Sequence, residues 1–566
     1  LFVTALGAFT FVLHSHLPYA RLAGRWPHGE EWIHEAANET YIPLLNMLYD
    51  LKEEGVPYSI TIGLTPVLAE QLADPDVLEH FDQYLAQRIE AAKRDVDYFL
   101  MPGTENGHLR YLAEWYRDVH EHTRKSFNER FNRDLIGAFR RLQEAGCIEI
   151  ITSAATHSYL PLLSRDSSVR AQVKTGIRSY ERMFGQRPRA VWLPECAYRP
   201  AYITETGRKR AGLETILAEN DLRTFFSETH TITGGSPVGV AAGDVIGPYG
   251  AIKRRYVIPL TDQFSTSKKP ATTFQPYYVS DTTNYPNAPS HSGVAVIGRN
   301  HKVGEQVWSA QYGYPGDFDY REFHKKAGTS GLQYWRITGA KVELGDKDFY
   351  HPDWAEYKVE QHAEHFAHLV GDQLRQYHNQ TGKFGLVAAN YDTELFGHWW
   401  YEGVNWLGKV IRHLNQHPEV ELTSASQFIE QHPPENVLDL PESSWGAGGT
   451  HFVWDNTETH WMWSPIHEVE ERMEVLATNF NAPDDQALQV LNQAAREALL
   501  VQSSDWSFLV TTGQAREYAI RRFSQHIERF EKLATSLEAG HPNVDAAQEY
   551  WELDKIFADI DYRWFR

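Results

Sequence analysis

Cysteine is almost absent: two residues, Cys147 and Cys196, in a chain of 566. A pair can build neither a disulfide framework nor a four-thiolate zinc site. The scarcity suits a reducing compartment, so a cytoplasmic location is expected. Basic charge is short as well. Lys plus Arg number 54 against 75 Asp plus Glu, a formal net charge of −21, and that averaged field repels polyanions, which argues against a nucleic-acid partner. Long hydrophobic runs are missing too. The apolar opening from Leu1 to Leu13 falls short of the ~20 residues of a membrane span and lacks the flanks of a secretory leader. It reads as a buried first strand, and no membrane partner is expected. What the chain has in excess is aromatic surface: 17 Trp, 29 Tyr and 27 Phe, more than a core of this size requires, so some rings are expected to face a ligand.

The first 430 or so residues alternate short apolar runs with longer helical patterns, the signature of βαβ units around a mostly parallel sheet. Strands are expected at Ala8 to Leu13, Tyr58 to Ile62, Ile148 to Thr152, Ala190 to Leu193 and Phe384 to Ala389, with weaker ones near Thr224 and Val420. Each of the five ends in polar and aromatic residues, HSHLPY, GLTP, SAATHSY, PECAYRP and NYDTELFGHWW. Chemistry in parallel α/β folds sits past the carboxyl ends of the strands, so these tails point to one shared site. A helical insert is expected over 76–146, a long loop or lid over 235–300 with strand-like pieces at Tyr256 to Pro259 and Val294 to Ile297, and a helical C-terminal domain over 435–566.

Two acidic clusters follow strands directly: Glu195 in WLPE, and Asp392 with Glu394 in NYDTE. Paired carboxylates flanking an acetal are what glycoside cleavage requires, one attacking or activating water and the other delivering a proton. Trp192, Tyr198, Tyr391, Trp399 and Trp400 are placed to stack on a pyranose. Equally, the acids could cap helices or pair with a neighbour such as Arg199. His14-Ser15-His16 leaves three readings open: a zinc site completed by His157, Asp392 or Glu195, hydrogen bonding to sugar hydroxyls, or plain structural histidines. Cys196 lacks a Cys-His signature and reads as a small buried residue. The WGAGG segment from Trp445 lacks the lysine of a phosphate loop. Trp445, Trp454, Trp461 and Trp463 can serve as core or as ligand surface.

The ordered series HSHLPY, GCIEIITSAATH, WLPECAYRP, YDTELFGHWWYEG and SWGAGGTHFVW resembles glycoside hydrolase family 57 across nearly the whole chain. WLPECAYRP, VWSAQYGYPG (from Val307) and the SWG segment with its downstream helices look most like the 1,4-α-glucan branching members. The resemblance implies an incomplete (β/α)7 barrel with a helical insertion and a helical C-terminal domain that reaches the cleft. It also implies a retaining double displacement without metal or other cofactor, with Glu195 as nucleophile and Asp392 as general acid/base. His14, His16 and His157 would surround the reacting sugar, and Trp308, Trp445 and Trp454, with Trp399 and Trp400, would form subsites. Tyr249, in a Gly-Pro-Tyr-Gly turn, is the expected tip of a water-excluding lid, or else an exposed turn residue. The expected reaction cleaves an α-1,4 linkage in amylose, amylopectin or glycogen and passes the segment to a 6-hydroxyl. Alternatives are an α-amylase, a 4-α-glucanotransferase, a zinc-dependent glycan hydrolase or a catalytically idle glucan binder.

Overall fold

The computed structural model describes residues 5–242, 256–259, 271–284, 290–309 and 312–566. Seven strands carry the catalytic end: β1 (Gly7–Ser15), β2 (Ile60–Leu64), β3 (Ile148–Ser153), β4 (Ala190–Trp192), β5 (Thr224–Ser227), β6 (His291–Gly298) and β7 (Gly385–Asp392). They are mutually parallel in the order β7-β1-β2-β3-β4-β5-β6.

Residue alternation shows how the sheet curls. Ala8 and Val12 of β1, Ile151 of β3, Ala190 and Trp192 of β4, Phe226 of β5, Ala295 and Ile297 of β6, and Leu386 and Ala388 of β7 form one buried cluster. Side chains from the two ends of the strand order therefore meet in a common interior, as in a barrel. No ladder joins β6 to β7 among the described residues. Tyr277–Ser280 instead pairs antiparallel with β6, and the seam is bridged by the Asn300 N–H donating to the Ala388 carbonyl at 3.0 Å and the Leu386 N–H to the Phe274 carbonyl at 2.9 Å. The barrel is thus incomplete, one unit short of eight.

The weaker strands expected near Thr224 and Val420 are present: the first is β5, and the second, Val420–Leu422, pairs with β1 beside β7, off the main strand path. The sixth barrel strand, β6, contains the strand-like piece expected at Val294 to Ile297 and begins earlier, at His291; Ser236–Ala242 and the expected Tyr256–Pro259 extend the same sheet. β6 is buried along its length.

The opposite parity of β1, Phe9, Phe11 and Leu13, packs outward. It meets α3 (Pro352–Thr381) and α4 (Gly403–Gln416) through Phe366 and Trp406, with the Phe11 ring 6.2 Å and 6.0 Å from theirs. Between β2 and β3 stand α1 (Pro75–Tyr98) and α2 (Gly107–Lys125). Each starts on a side-chain cap, Asp74 accepting from Asp76 and Val77 N–H, and Asn106 from His108 and Leu109 N–H.

The C-terminal part holds α5 (His460–Asn479), α6 (Asp485–Val501), α7 (Ser504–Thr512), α8 (Arg516–Glu538) and α9 (Val544–Leu553). Their buried residues, among them Met473, Leu491, Trp506 and Phe523, belong to the same apolar cluster as Tyr159, Val191 and Phe225 from the barrel. The helices are therefore seated on the barrel by a continuous core. Ser503 caps α7 by accepting from Asp505 N–H, and Gly513 (φ 73°) ends it, which points the first turn of α7 at the barrel mouth.

Phe11→Ala deletes a fully buried ring, and a loss of about 3–5 kcal/mol is expected, read as a lowered thermal midpoint. A surface-like loss under about 0.5 kcal/mol would contradict the outward packing of β1.

Candidate active site

Strand parity delivers the first pair of groups. His14 continues the inward series of β1 and Asp392 that of β7, and the two residues are register partners. β4 delivers the other acid through a sharp turn. Pro194 fixes its own φ, and Glu195 (φ 61°, ψ 24°) and Cys196 (φ 48°) follow in the left-handed region. Neither is glycine, so each costs roughly 1–2 kcal/mol. The turn is held by the Trp445 N–H donating to the Glu195 carbonyl at 3.0 Å and the Cys196 N–H to the Leu193 carbonyl at 2.9 Å. Tyr198 and Ser443 exchange backbone hydrogen bonds of 2.8 and 3.0 Å beside it.

Trp445 also fixes the carboxylate, because its indole Nε1–H donates to Glu195 Oε2 at 2.7 Å. On the other oxygen, Oε1, His157 Nδ1 stands 3.9 Å away. His157 Nε2 lies 3.0 Å from His14 Nε2, its Nδ1 lies 3.0 Å from Ser504 Oγ, and its ring stacks on His16 at 3.7 Å. His14 in turn stacks on Trp192 at 4.6 Å. Burial pushes both His14 and His157 well below the usual imidazole range, and His16 adds to the effect. Two neutral rings can share one N–H between facing nitrogens. His16 is held between Thr65 Oγ1 at 3.1 Å and Asp505 Oδ1 at 2.9 Å.

Three carboxyls of the site are pushed up. Burial carries Glu195 to about 8, with Asp392 and Asp505 adding repulsion and the bonds from Trp445 and Ser504 opposing. Burial carries Asp392 to about 6, opposed by Arg299 and His16. Glu394, raised to about 8 by burial and by Asp392, accepts from the Tyr41 hydroxyl and from His16 N–H. The charge of Asp392 thus helps raise Glu195, and with both carboxyls pushed up the pair favours holding a single proton.

Glu195, Asp392, His14, His16, His157 and Trp445 come together at the carboxyl ends of the strands. The other aromatic expectations divide. Trp308 and Trp399 have rings 39% and 44% exposed and are free to stack on a ligand. Trp400, 2% exposed, is a core ring packed on Phe396, Trp406 and Tyr320. Trp454, 1% exposed, stacks on Tyr159 at 4.3 Å beneath the segment that presents Trp445. Neither offers a face to sugar, and the subsite expectation for both is corrected. Trp192, Tyr198 and Tyr391 are likewise fully buried. Tyr249 lies outside the described residues.

The histidine nitrogens named above are committed to hydrogen bonds with one another, Ser504, Thr65 and Asp505. The one cluster of metal-ligating type among the described residues is elsewhere, at Glu497, His526 and Asp554. Arg522 bonds His526 at 3.0 Å and Arg529 bonds Asp554 there, so cations of the chain already occupy that cluster. Sequence reasoning missed Ser504 and Asp505 altogether. In QSSDWS they look like an ordinary helix start, and only the docking of α7 brings them to the barrel.

A profile described as glycosyl hydrolase family 57 matches residues 10–441. The chain belongs to glycosyl hydrolase family 57. A second profile, described as the C-terminal part of 1,4-alpha-glucan branching enzyme, matches residues 465–565. Within the family, a 1,4-alpha-glucan branching enzyme of Thermococcus kodakarensis is 44% identical over 98% of this chain and 78% of its own length. A probable 1,4-alpha-glucan branching enzyme of Mycobacterium tuberculosis is 30% identical over 98% of both chains. Among solved structures, the T. kodakarensis enzyme in complex with glucose superposes with a TM-score of 0.85 at 42% identity, covering 99% of this chain and 96% of that one. The alpha-amylase AmyC of Thermotoga maritima follows the same family fold at a TM-score of 0.80 and 30% identity, covering 99% of both chains.

Asp505→Asn keeps an oxygen for His16 and removes a negative charge that helps raise Glu195. The Glu195 carboxyl is therefore expected to titrate lower than in the wild type, followed by carbon NMR of labelled glutamate. An unchanged or higher value would show that α7 does not act on Glu195.

Proposed function

We propose that the chain is a 1,4-α-glucan branching enzyme: it cleaves an α-1,4 linkage, retains the segment on Glu195, and transfers it to a 6-hydroxyl of a second glucan chain. Glycogen, amylose and amylopectin are the proposed donors and acceptors, and the two free thiols fit a cytoplasmic setting. The observation that supports the reading is two raised acids, Glu195 and Asp392, at the ends of separate strands, with Trp445 bonded to the first.

The chemistry follows from the pair. Glu195 attacks the anomeric carbon as the C–O4 bond breaks, and Asp392 gives its proton to the leaving O4. The resulting ester is then attacked by a 6-hydroxyl, whose proton goes to the Asp392 carboxylate, and Glu195 leaves as the carboxylate. One proton circulates and none is consumed. Burial alone would leave that proton on Glu195, whose value is raised further than that of Asp392. Hydrogen bonding points the other way. Trp445 can only donate, and it is fixed on Oε2. No side chain among the described residues donates to Asp392, so its carboxyl is open to hold a proton toward the glycosidic oxygen. Transfer instead of hydrolysis further requires that water be kept from the ester while the acceptor is oriented.

The similarity to the T. maritima α-amylase favours hydrolysis as a second reading. Proton spectra of amylose products separate the two: new α-1,6 anomeric signals are expected, and their absence alongside reducing-end release would overturn branching in favour of hydrolysis. Glu195→Gln is expected to abolish turnover while glucan binding persists. Asp392→Asn is expected to slow turnover by about 10²–10⁴-fold, with a good leaving group restoring only the first half-reaction.

The pH profile follows from a shared proton. Activity needs one proton on the pair, so it should fall below about 6 as a second is taken up and above about 8 as the first is lost. A kcat/KM profile lacking either limb would contradict the shared-proton description.

A further inference from the structure

A cavity of about 290 Å³ lies between the helix Glu30–Ala36, α1, α2, the segment around 321–333 and His398. Its floor is a π-helical turn, Ala37–Tyr41, a distortion that often marks function. Asn38 and Glu39 of that turn face the cavity, while Tyr41 at its other end donates to Glu394 beside the catalytic acids.

Two polar groups in this cavity lack what they need. His120, 5% exposed, has its Nδ1 3.3 Å from Asn38 Oδ1, and its Nε2 is buried without a partner. If Nδ1 donates to that amide oxygen, Nε2 is left as a lone pair seeking a donor; burial, with Arg88 and Arg321 nearby, keeps the ring neutral down to about 3. Arg88 lines the same space, half-buried, and no carboxylate among the described residues lies within ion-pair reach of it. The ionisable lining otherwise sets Glu31, Glu35 and Glu39 against Arg88, Arg321 and Lys326, with Glu31 pushed up to about 7 by burial and by Glu35. Glu39 is already answered by Arg321 at 3.3 Å and His398 at 2.7 Å.

A ligand for this space must donate to an imidazole and must accept from a guanidinium. A sugar hydroxyl does both at once, and the volume is at the low end of the ~300–1,000 Å³ of small-molecule pockets, enough for a chain end and too small for a glucan helix. We infer that this cavity is a second saccharide site, distinct from the catalytic hollow, which takes the terminal glucosyl unit of an α-glucan against His120 and Arg88. The inference rests on the branching reading for its choice of sugar. Through the Ala37–Tyr41 turn, an occupied cavity touches the same segment that positions Glu394.

Maltotriose binding to the full chain by calorimetry tests this, with Glu195→Gln as background so that the probe is not turned over. Two classes of site are expected. Arg88→Met and His120→Phe should each remove one class, while in the otherwise wild-type chain both variants keep the initial rate at saturating amylose. Circular dichroism checks that each variant is folded, and Arg88, being half-buried, is the safer replacement. Should folded Arg88→Met retain two classes with unchanged affinities, or should the Glu195→Gln chain show only one class, the cavity proposal is overturned. Failure of the branching reading would look different: no α-1,6 linkages formed by the wild type, whatever the count of maltotriose sites.

Discussion

The site depends on one strained turn and the tryptophan that holds it. Two successive non-glycine residues, Glu195 and Cys196, occupy left-handed backbone, a conformation that L side chains adopt only where surrounding contacts over-determine it. Trp445 supplies those contacts twice, from its backbone N–H to the Glu195 carbonyl and from its indole to the Glu195 carboxylate. The same residue therefore fixes where the acid is and which of its oxygens remains open. Trp445 is itself positioned by the Ser443–Tyr198 exchange and by Trp454 packed beneath the glycine-rich turn, where even a Cβ on Gly446 would come within 2.7 Å of that ring. A burial that looks like mere packing thus reaches the reacting atoms in two steps.

A second constraint is electrostatic. A solvated carboxyl near its ordinary value would stay ionised at neutral pH and could not serve as an acid. Here three acids, Glu195, Asp392 and Glu394, lie in one largely buried neighbourhood and are pushed up. Their repulsion is moderated at different points. Trp445 bonds one, Tyr41 and the His16 backbone bond another, and Arg299 with His16 acts on the third. Because Arg299 is itself paired with Glu228 at 2.9 Å, its pull on Asp392 is tempered, which leaves that acid protonatable.

Much of this was legible in the sequence, for physical reasons that differ by element. β1 and β7 could be read as strands, with His14 and Asp392 at their ends, because buried parallel strands are uninterrupted apolar runs whose period of two survives into the catalytic tail. Only the apolar centre of β6, Val294 to Ile297, could be read as a strand, because the His-Ser-Gly that opens it and its setting among turn residues imitate a loop. Trp400 and Trp454 were misread because an aromatic beside a motif looks the same in sequence whether it faces a sugar or a core. Only burial separates the two. Ser504 and Asp505 were invisible in principle: helix starts carry such residues everywhere, and nothing local tells that α7 docks over a barrel mouth more than three hundred residues upstream.

That docking carries a consequence for how the fold is divided. The C-terminal helices share an apolar cluster with the barrel's outer layer, and α7 places Ser504 on His157 and Asp505 on His16. Remove the helices and His16 loses its carboxylate, His157 loses a hydroxyl, and Glu195 loses the repulsion of Asp505 that helps raise it. The barrel alone would keep its acids yet lose part of the environment that shifts them. In this chain the candidate site belongs to both parts, and the boundary that the sequence suggests between barrel and helices runs through it.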